Sequence, residues 1–193
     1  MSVARSNKMR GIEVGASVFA PVAPEDFFRA VLDVRGFPAW APGVRGVEVL
    51  SGEGGPGMLS EWEVSFLGLR RRVPSVLEEA EAPHRLSWTY GGPVEGWGAC
   101  SIKGSGDGAV AVFRTHLAPA DPLLARMARG APATNAARGH LKRSLARLGR
   151  LVAGSEERVL VGPVVEGRQT GVRHRAGETV GAGSEPARVH YAR

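Results

Sequence analysis

Apolar and polar positions along the chain change period twice. Gly11–Ala20 is an apolar run broken by Glu13, the pattern of a strand. Phe27, Phe28, Val31 and Leu32 then recur at spacings of three and four, which predicts a helix. Ala23-Pro24-Glu25-Asp26 starts it, since proline suits a first turn and acids favour the positive end of the dipole. The helix is predicted to end by Gly36. In the following GFPAWAPGV, Trp40 stands between Pro38 and Pro42, which forbid an ordinary helix or inner strand, so a short helical turn or rigid loop is expected. From Val44 the period falls to two. Val44–Leu50, Met58–Leu67, Leu69–Glu79, Arg85–Tyr90, Val94–Lys103 and Ala109–Leu117 read as strands. Turn formers separate them: SGEGGPG, Ala82-Pro83, Gly91-Gly92-Pro93 and GSGDG. No helix follows GSGDG, so it reads as a hairpin turn and not a phosphate loop. Short neighbouring strands with tight turns imply an antiparallel sheet of about seven strands, counting the first.

The last third returns to helical spacing. Asp121-Pro122 is the expected cap of a long helix, and Pro132 is expected to kink or interrupt it. Leu141, Leu145, Leu148 and Val152 form one stripe, and followed backward the stripe becomes small at Ala137, Thr134 and Gly130. Small residues there suit either a lid over a cavity or close helix–sheet packing, and the pattern leaves both open. Residues 154–193 lose all periodicity and read as a disordered tail, and residues 1–10 as a flexible N-terminus. One domain over 11–153 remains.

Three stretches carry a family likeness: FAPVAPEDFFRAVLDVRGFPAWAPGVRGVEVL at 19–50, GMLSEWEVSFLG at 57–68 and EEAEAPHRLSWTY at 78–90. With the order of elements, they make residues 11–153 resemble the START-like (SRPBCC) superfamily, the polyketide cyclase/dehydrase and lipid-transport family. The resemblance implies an α+β helix-grip fold. In it a curved antiparallel seven-stranded sheet wraps around a long C-terminal helix, with two short helices after strand 1. It also implies an internal apolar cavity for a lipid, quinone, polyketide or steroid, with Trp40 on the second short helix near the cavity mouth.

Alternation sorts the strand residues into faces. Trp62, Val64 and Phe66 share one face, and Leu86, Trp88 and Tyr90 another. Trp97 lies with Glu95, Ala99 and Ser101. The aromatic members and Val64, with Phe27 and Trp40 from the helical segments and Thr134, Ala137 and Leu141 from the last helix, are the candidate ligand-binding residues. An apolar pocket with a few placed polar groups is the usual form of a small-molecule site. In Leu69-Arg70-Arg71-Arg72, Arg70 and Arg72 share a face, and Arg71 takes the other. Aromatase/cyclases of this superfamily use a cavity arginine to orient or polarise a carbonyl, so the resemblance makes Arg70 or Arg72 the catalytic candidate. Arg71 replaces them if the strand bulges. Tyr90 is a second candidate, and His116, on a face with Val110, Val112 and Arg114, a third, as a proton carrier. Glu61 and Glu95 are further bases for an aldol cyclisation. Carboxylate pairs, metal-ligand spacings and Ser–His arrangements are lacking, so neither metal nor cofactor is expected. Cys100 reads as a small buried residue.

Composition narrows the classes. Hydrophobic residues make up 43% and charged residues 23%, the balance of a globular domain. No stretch matches a bilayer span, and the basic N-terminus lacks a following apolar block. A lone cysteine fits a reducing, cytoplasmic location. The net charge is +6. Residues 121–153 carry Arg126, Arg129, Arg138, Lys142, Arg143, Arg147 and Arg150 against Asp121 alone, so this segment holds the whole excess. Such a face is either simply solvated or meets an anionic partner: a membrane surface, a nucleic acid or an acidic carrier protein. As a function, binding of an anionic membrane or nucleic acid by this helix ranks last, because no DNA-reading motif or interleaved aromatic is present. The leading expectation is therefore a protein that binds a hydrophobic small molecule between sheet and C-terminal helix. A polyketide cyclase/aromatase is the alternative, and a basic-helix module for anionic surfaces the second alternative.

Overall fold

The computed structural model describes residues 11–66, 69–120, 122–128, 130–155 and 158–164. Strand β1 (Ile12–Ala20) leads into helix α1 (Pro24–Leu32), a 3-10 turn (Val34–Gly36) and the single-turn helix α2 (Phe37–Trp40). An antiparallel meander follows: β2 (Val44–Ser51), β3 (Leu59–Phe66), β4 (Leu69–Glu81), β5 (Arg85–Tyr90), β6 (Val94–Ser105) and β7 (Gly108–Pro119). Helices α3 (Pro122–Met127) and α4 (Ala131–Ala153) and a last strand β8 (Leu160–Gly162) complete the order. The sheet runs β2-β3-β4-β5-β6-β7-β1-β8. It is the open, curved antiparallel sheet of a helix-grip fold.

That order dictates where the core lies. β1 pairs with β7 at one side of the sheet, whereas β2 forms the opposite edge. The connection between them, residues 21–43, must therefore cross the concave face. It carries Phe27, Phe28, Val31, Phe37 and Trp40 across with it, all buried. Pro24 opens α1 and Glu25 and Asp26 occupy its first turn, as the local sequence requires. From the sheet, Val18, Leu86, Cys100, Ile102 and Phe113 meet this segment in one core. Full burial of a ring such as Phe27 stabilises by about 1.5–3 kcal/mol.

One expectation needs correction. The sheet has eight strands, not seven, and the eighth falls inside the stretch read as a disordered tail. Leu160 and Val161 are too few to make a periodic signal. They become a strand because β1 offers Ser17, Val18 and Phe19 as an unpaired edge. The C-terminal helical segment is interrupted, as Pro132 leads one to expect, and forms two helices. The chain breaks at Gly130, with φ of 89°, and Pro132 sits in the first turn of α4 instead of kinking a continuous rod. The expected cap Asp121, residues 1–10 and residues 165–193 lie outside the described residues.

Helix α4 packs chiefly on β1, with β8, α1 and α2 alongside. Its contact with β1 and β8 is close because Gly149 has no side chain. A Cβ there would stand 2.5 Å from Cγ1 of Val159 and 2.9 Å from Cγ2 of Val18. Gly149→Val should therefore push α4 off β1. The expected loss is about 1–3 kcal/mol, read as a lower Tm, with amide exchange rising first in β8.

Candidate functional site

The register decides which strand residues share the concave face. On β6, Gly98, Cys100 and Ile102 are buried, and on β5 so are Leu86 and Trp88. Trp62 stands opposite Val73, and Val64 opposite Arg71. Arg71 therefore shares the inner face with Trp62 and Val73, and its guanidinium donates to the Arg70 carbonyl at 2.9 Å. Arg70 and Arg72 point the other way. They pair across the convex face with Glu63 at 3.8 Å and Glu61 at 3.0 Å. The assignment of Arg70 or Arg72 to the interior is thus reversed, because burial of Trp62 and Val73 fixes the alternate residues of β4 inward and leaves Arg70 and Arg72 outside. Glu61 is taken up in that pairing.

Two further candidates also lie outside. Trp97 alternates with the buried Gly98 and Cys100, so it faces convex solvent, 37% exposed. There it stacks on His116, with ring centroids 6.5 Å apart. His116 stands opposite Glu13 on β1 and Trp97 on β6, remote from the concave face. Alternation grouped these residues correctly with their neighbours, but a grouping does not say which face is concave.

The remaining aromatics gather around Phe37. Its ring centroid lies 4.2 Å from Trp40, 4.6 Å from Trp62 and 6.4 Å from Trp88. Phe27 is sealed in the adjoining core and Trp40 is sealed too, 3% exposed, so neither lines an open mouth. The void enclosed by Val34, Phe37, Met58, Trp62, Leu77 and Trp88 measures about 10 Å³. That holds one water at most. The small residues of α4 are likewise used for packing: Ala133 is buried against Ile12 and Val14, with Ala137 and Leu141 at its edge. Thr134, half-buried, bonds back to the Gly130 carbonyl. The Phe66 side chain lies outside the described residues.

Beyond this packed half the concave face stays partly accessible. Val64, Tyr90 and Leu141 pack on the core yet are only half-buried. Here the polar groups collect. The Trp88 Nε1–H donates to the Tyr90 hydroxyl oxygen, and the Tyr90 ring stands edge-on to Trp62 at 6.4 Å. Burial pushes the Tyr90 pKa up to about 12, although its bonds with Trp88 and Thr115 act the other way. At neutral pH Tyr90 is protonated, as a tyrosine ordinarily is, and its hydroxyl oxygen is oriented by the Trp88 N–H. His140 of α4 is a residue the sequence reading missed. Its ring fills the space that a side chain at Gly43 would take, 2.8 Å from Nε2. Burial, then the charges of Arg143 and Arg147, hold its pKa below the usual histidine value. The Trp40 indole nitrogen is buried without a hydrogen-bond partner among the described residues. Cys100, fully buried, has its thiol pKa pushed up by desolvation and is not a nucleophile. Among the described residues no group of His, Cys, Asp or Glu is gathered to hold a metal, and no helix is long and apolar enough to cross a membrane.

A curved sheet gripping a C-terminal helix, with an aromatic and partly accessible concave face, defines a START-like ligand-binding scaffold. The chain belongs to the family described as polyketide cyclase/dehydrase and lipid transport, whose model matches residues 11–153. Solved structures agree on the fold. TTHA0849 from Thermus thermophilus superposes with a TM-score of 0.63 at 21% identity, over 74% of this chain and 97% of that one. A START superfamily protein from Mycobacterium smegmatis gives 0.57 at 16%, over 74% and 94%. DR_A0006 from Deinococcus radiodurans gives 0.55 at 21%, over 72% and 95%. No curated protein matches the chain by sequence.

The raised Tyr90 pKa has a measurable consequence. Between the ordinary tyrosine value of 10.0 and about 12, the unfolded chain loses this proton while the folded one keeps it. Stability attributable to Tyr90 is thus intact below 10.0 and lost as pH climbs toward 12. A tyrosinate absorbance titration should show a late step near 12 that Tyr90→Phe abolishes.

Proposed function

We propose that this domain binds one apolar small molecule carrying a hydrogen-bond-accepting group, such as a carbonyl or hydroxyl, on the accessible half of the concave face. One observation carries this reading. A Tyr90 hydroxyl, fixed by Trp88, lies on the inner face of a family scaffold for hydrophobic ligands, whose half-buried apolar residues include Val64 and Leu141. Apolar contact supplies about 25 cal/mol per Å² buried, before the costs of association. The hydroxyl supplies orientation.

Native mass spectrometry after exposure to fatty acids, quinones and polyketide-like aromatics tests this. A one-to-one adduct is expected. Tyr90→Phe should weaken carbonyl-bearing ligands by about 0.5–1.5 kcal/mol, roughly three- to tenfold, while leaving pure hydrocarbons unaffected. Leu141→Trp should block both. Consistent failure to form any adduct across the set refutes the reading.

A second reading, cyclisation of a bound polyketide chain, is favoured by the inward register of Arg71 alongside Tyr90. A guanidinium and a phenol on one wall would polarise two carbonyls while the walls select the chain's conformation. Product analysis with a polyketide substrate separates the readings. Arg71→Ala should alter the product distribution if the domain is a cyclase, and leave it unchanged if it is a carrier.

A further inference from the structure

We propose that the solvent face of α4 docks reversibly on an anionic lipid bilayer, bringing the concave site to the surface from which an apolar ligand is drawn. The choice of a bilayer as partner rests on the apolar-ligand reading above. The docking face itself stands on independent observations.

Arg138, Lys142, Arg143 and Arg147 are all exposed on α4. At 3.6 residues per turn they spread over about half of the helix circumference. Leu145 and Leu148, both fully buried, lie in the other half, with Leu145 close to the Arg138 edge. The helix contains no aspartate or glutamate. Several arginines elsewhere on the surface are matched by acids from their own or a neighbouring element: Arg29 with Asp26, Arg70 with Glu63, Arg72 with Glu61 and Arg85 with Glu79. Helix α4 has no acid of its own to match these four cations or Arg150. Their field is also felt locally, since Arg143 and Arg147 both help to depress the pKa of His140.

The residues between the cations favour a flat, apolar-bordered surface. Pro132, Ala136, Gly139 and Ala146 are small, and Leu151 is 54% exposed one turn beyond Arg147. Cations with an exposed leucine and no bulky obstruction suit a lipid headgroup layer. No phenylalanine, tyrosine or tryptophan lies on α4 for base stacking. The other flanks of the same helix lie on β1 and, through His140, against Gly43 beside the concave site. A docked α4 therefore holds the site within one helix diameter of the headgroups, about 10 Å.

Cosedimentation of the full chain with vesicles tests the proposal, comparing phosphatidylcholine alone with the same lipid containing roughly a third phosphatidylglycerol. Binding is expected only to the anionic vesicles, and should fall steeply as salt is added. Each cation removed should weaken it by about fivefold, so Arg143→Glu with Arg147→Glu should cost on the order of 25-fold or more. The lysine pair Arg143→Lys with Arg147→Lys should retain it. Thermal melts verify that the variants are folded. Three results overturn the proposal: equal or no binding to both vesicle types, undiminished binding by the glutamate variant, or displacement from anionic vesicles by duplex DNA of matched charge. Adduct formation with detergent-solubilised ligand, followed on the same glutamate variant, separates the two claims. Vesicle binding without adducts in the parent chain sinks the ligand reading alone, and adducts without vesicle binding sink the docking alone.

Discussion

One phenylalanine ring set among three indoles governs the interior of this domain. Because β1 and β2 lie on opposite sides of the sheet, the chain between them has to cross the concave face, and Phe37 is where that crossing is pinned. Its contacts with Trp40, Trp62 and Trp88 are tilted or edge-on, the arrangement aromatic quadrupoles prefer. Pro38, within α2, restricts the backbone that presents the ring. The result is tight enough to leave only about 10 Å³ of enclosed space.

The accessible half of the face inherits its geometry from this cluster. Trp88 touches Phe37 with its ring and Tyr90 with its N–H, while Trp62 stands edge-on to both Phe37 and Tyr90. The position of a single hydroxyl is thus set by core packing and not by a loop. Polar satisfaction follows the same division. The Trp62 N–H is used internally on Ser60 at 2.8 Å and the Trp88 N–H on Tyr90, whereas the Trp40 N–H has no protein acceptor among the described residues. One end of the interior is thus packed closely, while half-buried Val64, Tyr90 and Leu141 leave the other partly accessible.

Charge is partitioned by the same architecture. On the convex side, long side chains from neighbouring strands pair across the ladder, as in Glu61 with Arg72 and Glu79 with Arg85. Each exposed pair stabilises by at most about 1 kcal/mol, yet together they hold arginines and glutamates away from the interior. Helix α4 offers no such ladder, so Arg138, Lys142, Arg143 and Arg147 project into solvent. Relatives at 16–21% identity keep the fold, which shows that the pattern of faces, more than individual residues, carries it.

Much of this was legible in the chain itself. The start of α1, the strands from Val44 onward, their turns and the interruption ahead of α4 follow from local rules: side-chain period, proline's missing N–H and glycine's positive φ. Alternation also grouped the residues of each strand correctly, with Trp97 apart from Cys100 and Arg71 apart from Arg70 and Arg72. Which group faces inward was decided only by tertiary structure, because a strand has two equivalent sides until helices cover one. Hence Arg71, not its neighbours, joins the concave face, and Trp97 and His116 leave it. The same reason explains β8, whose three residues have no propensity to speak for them and depend on the open edge of β1. It also explains the small residues of α4, whose pattern suited a lid or a close seam equally until Ile12 and Val14 were found against them.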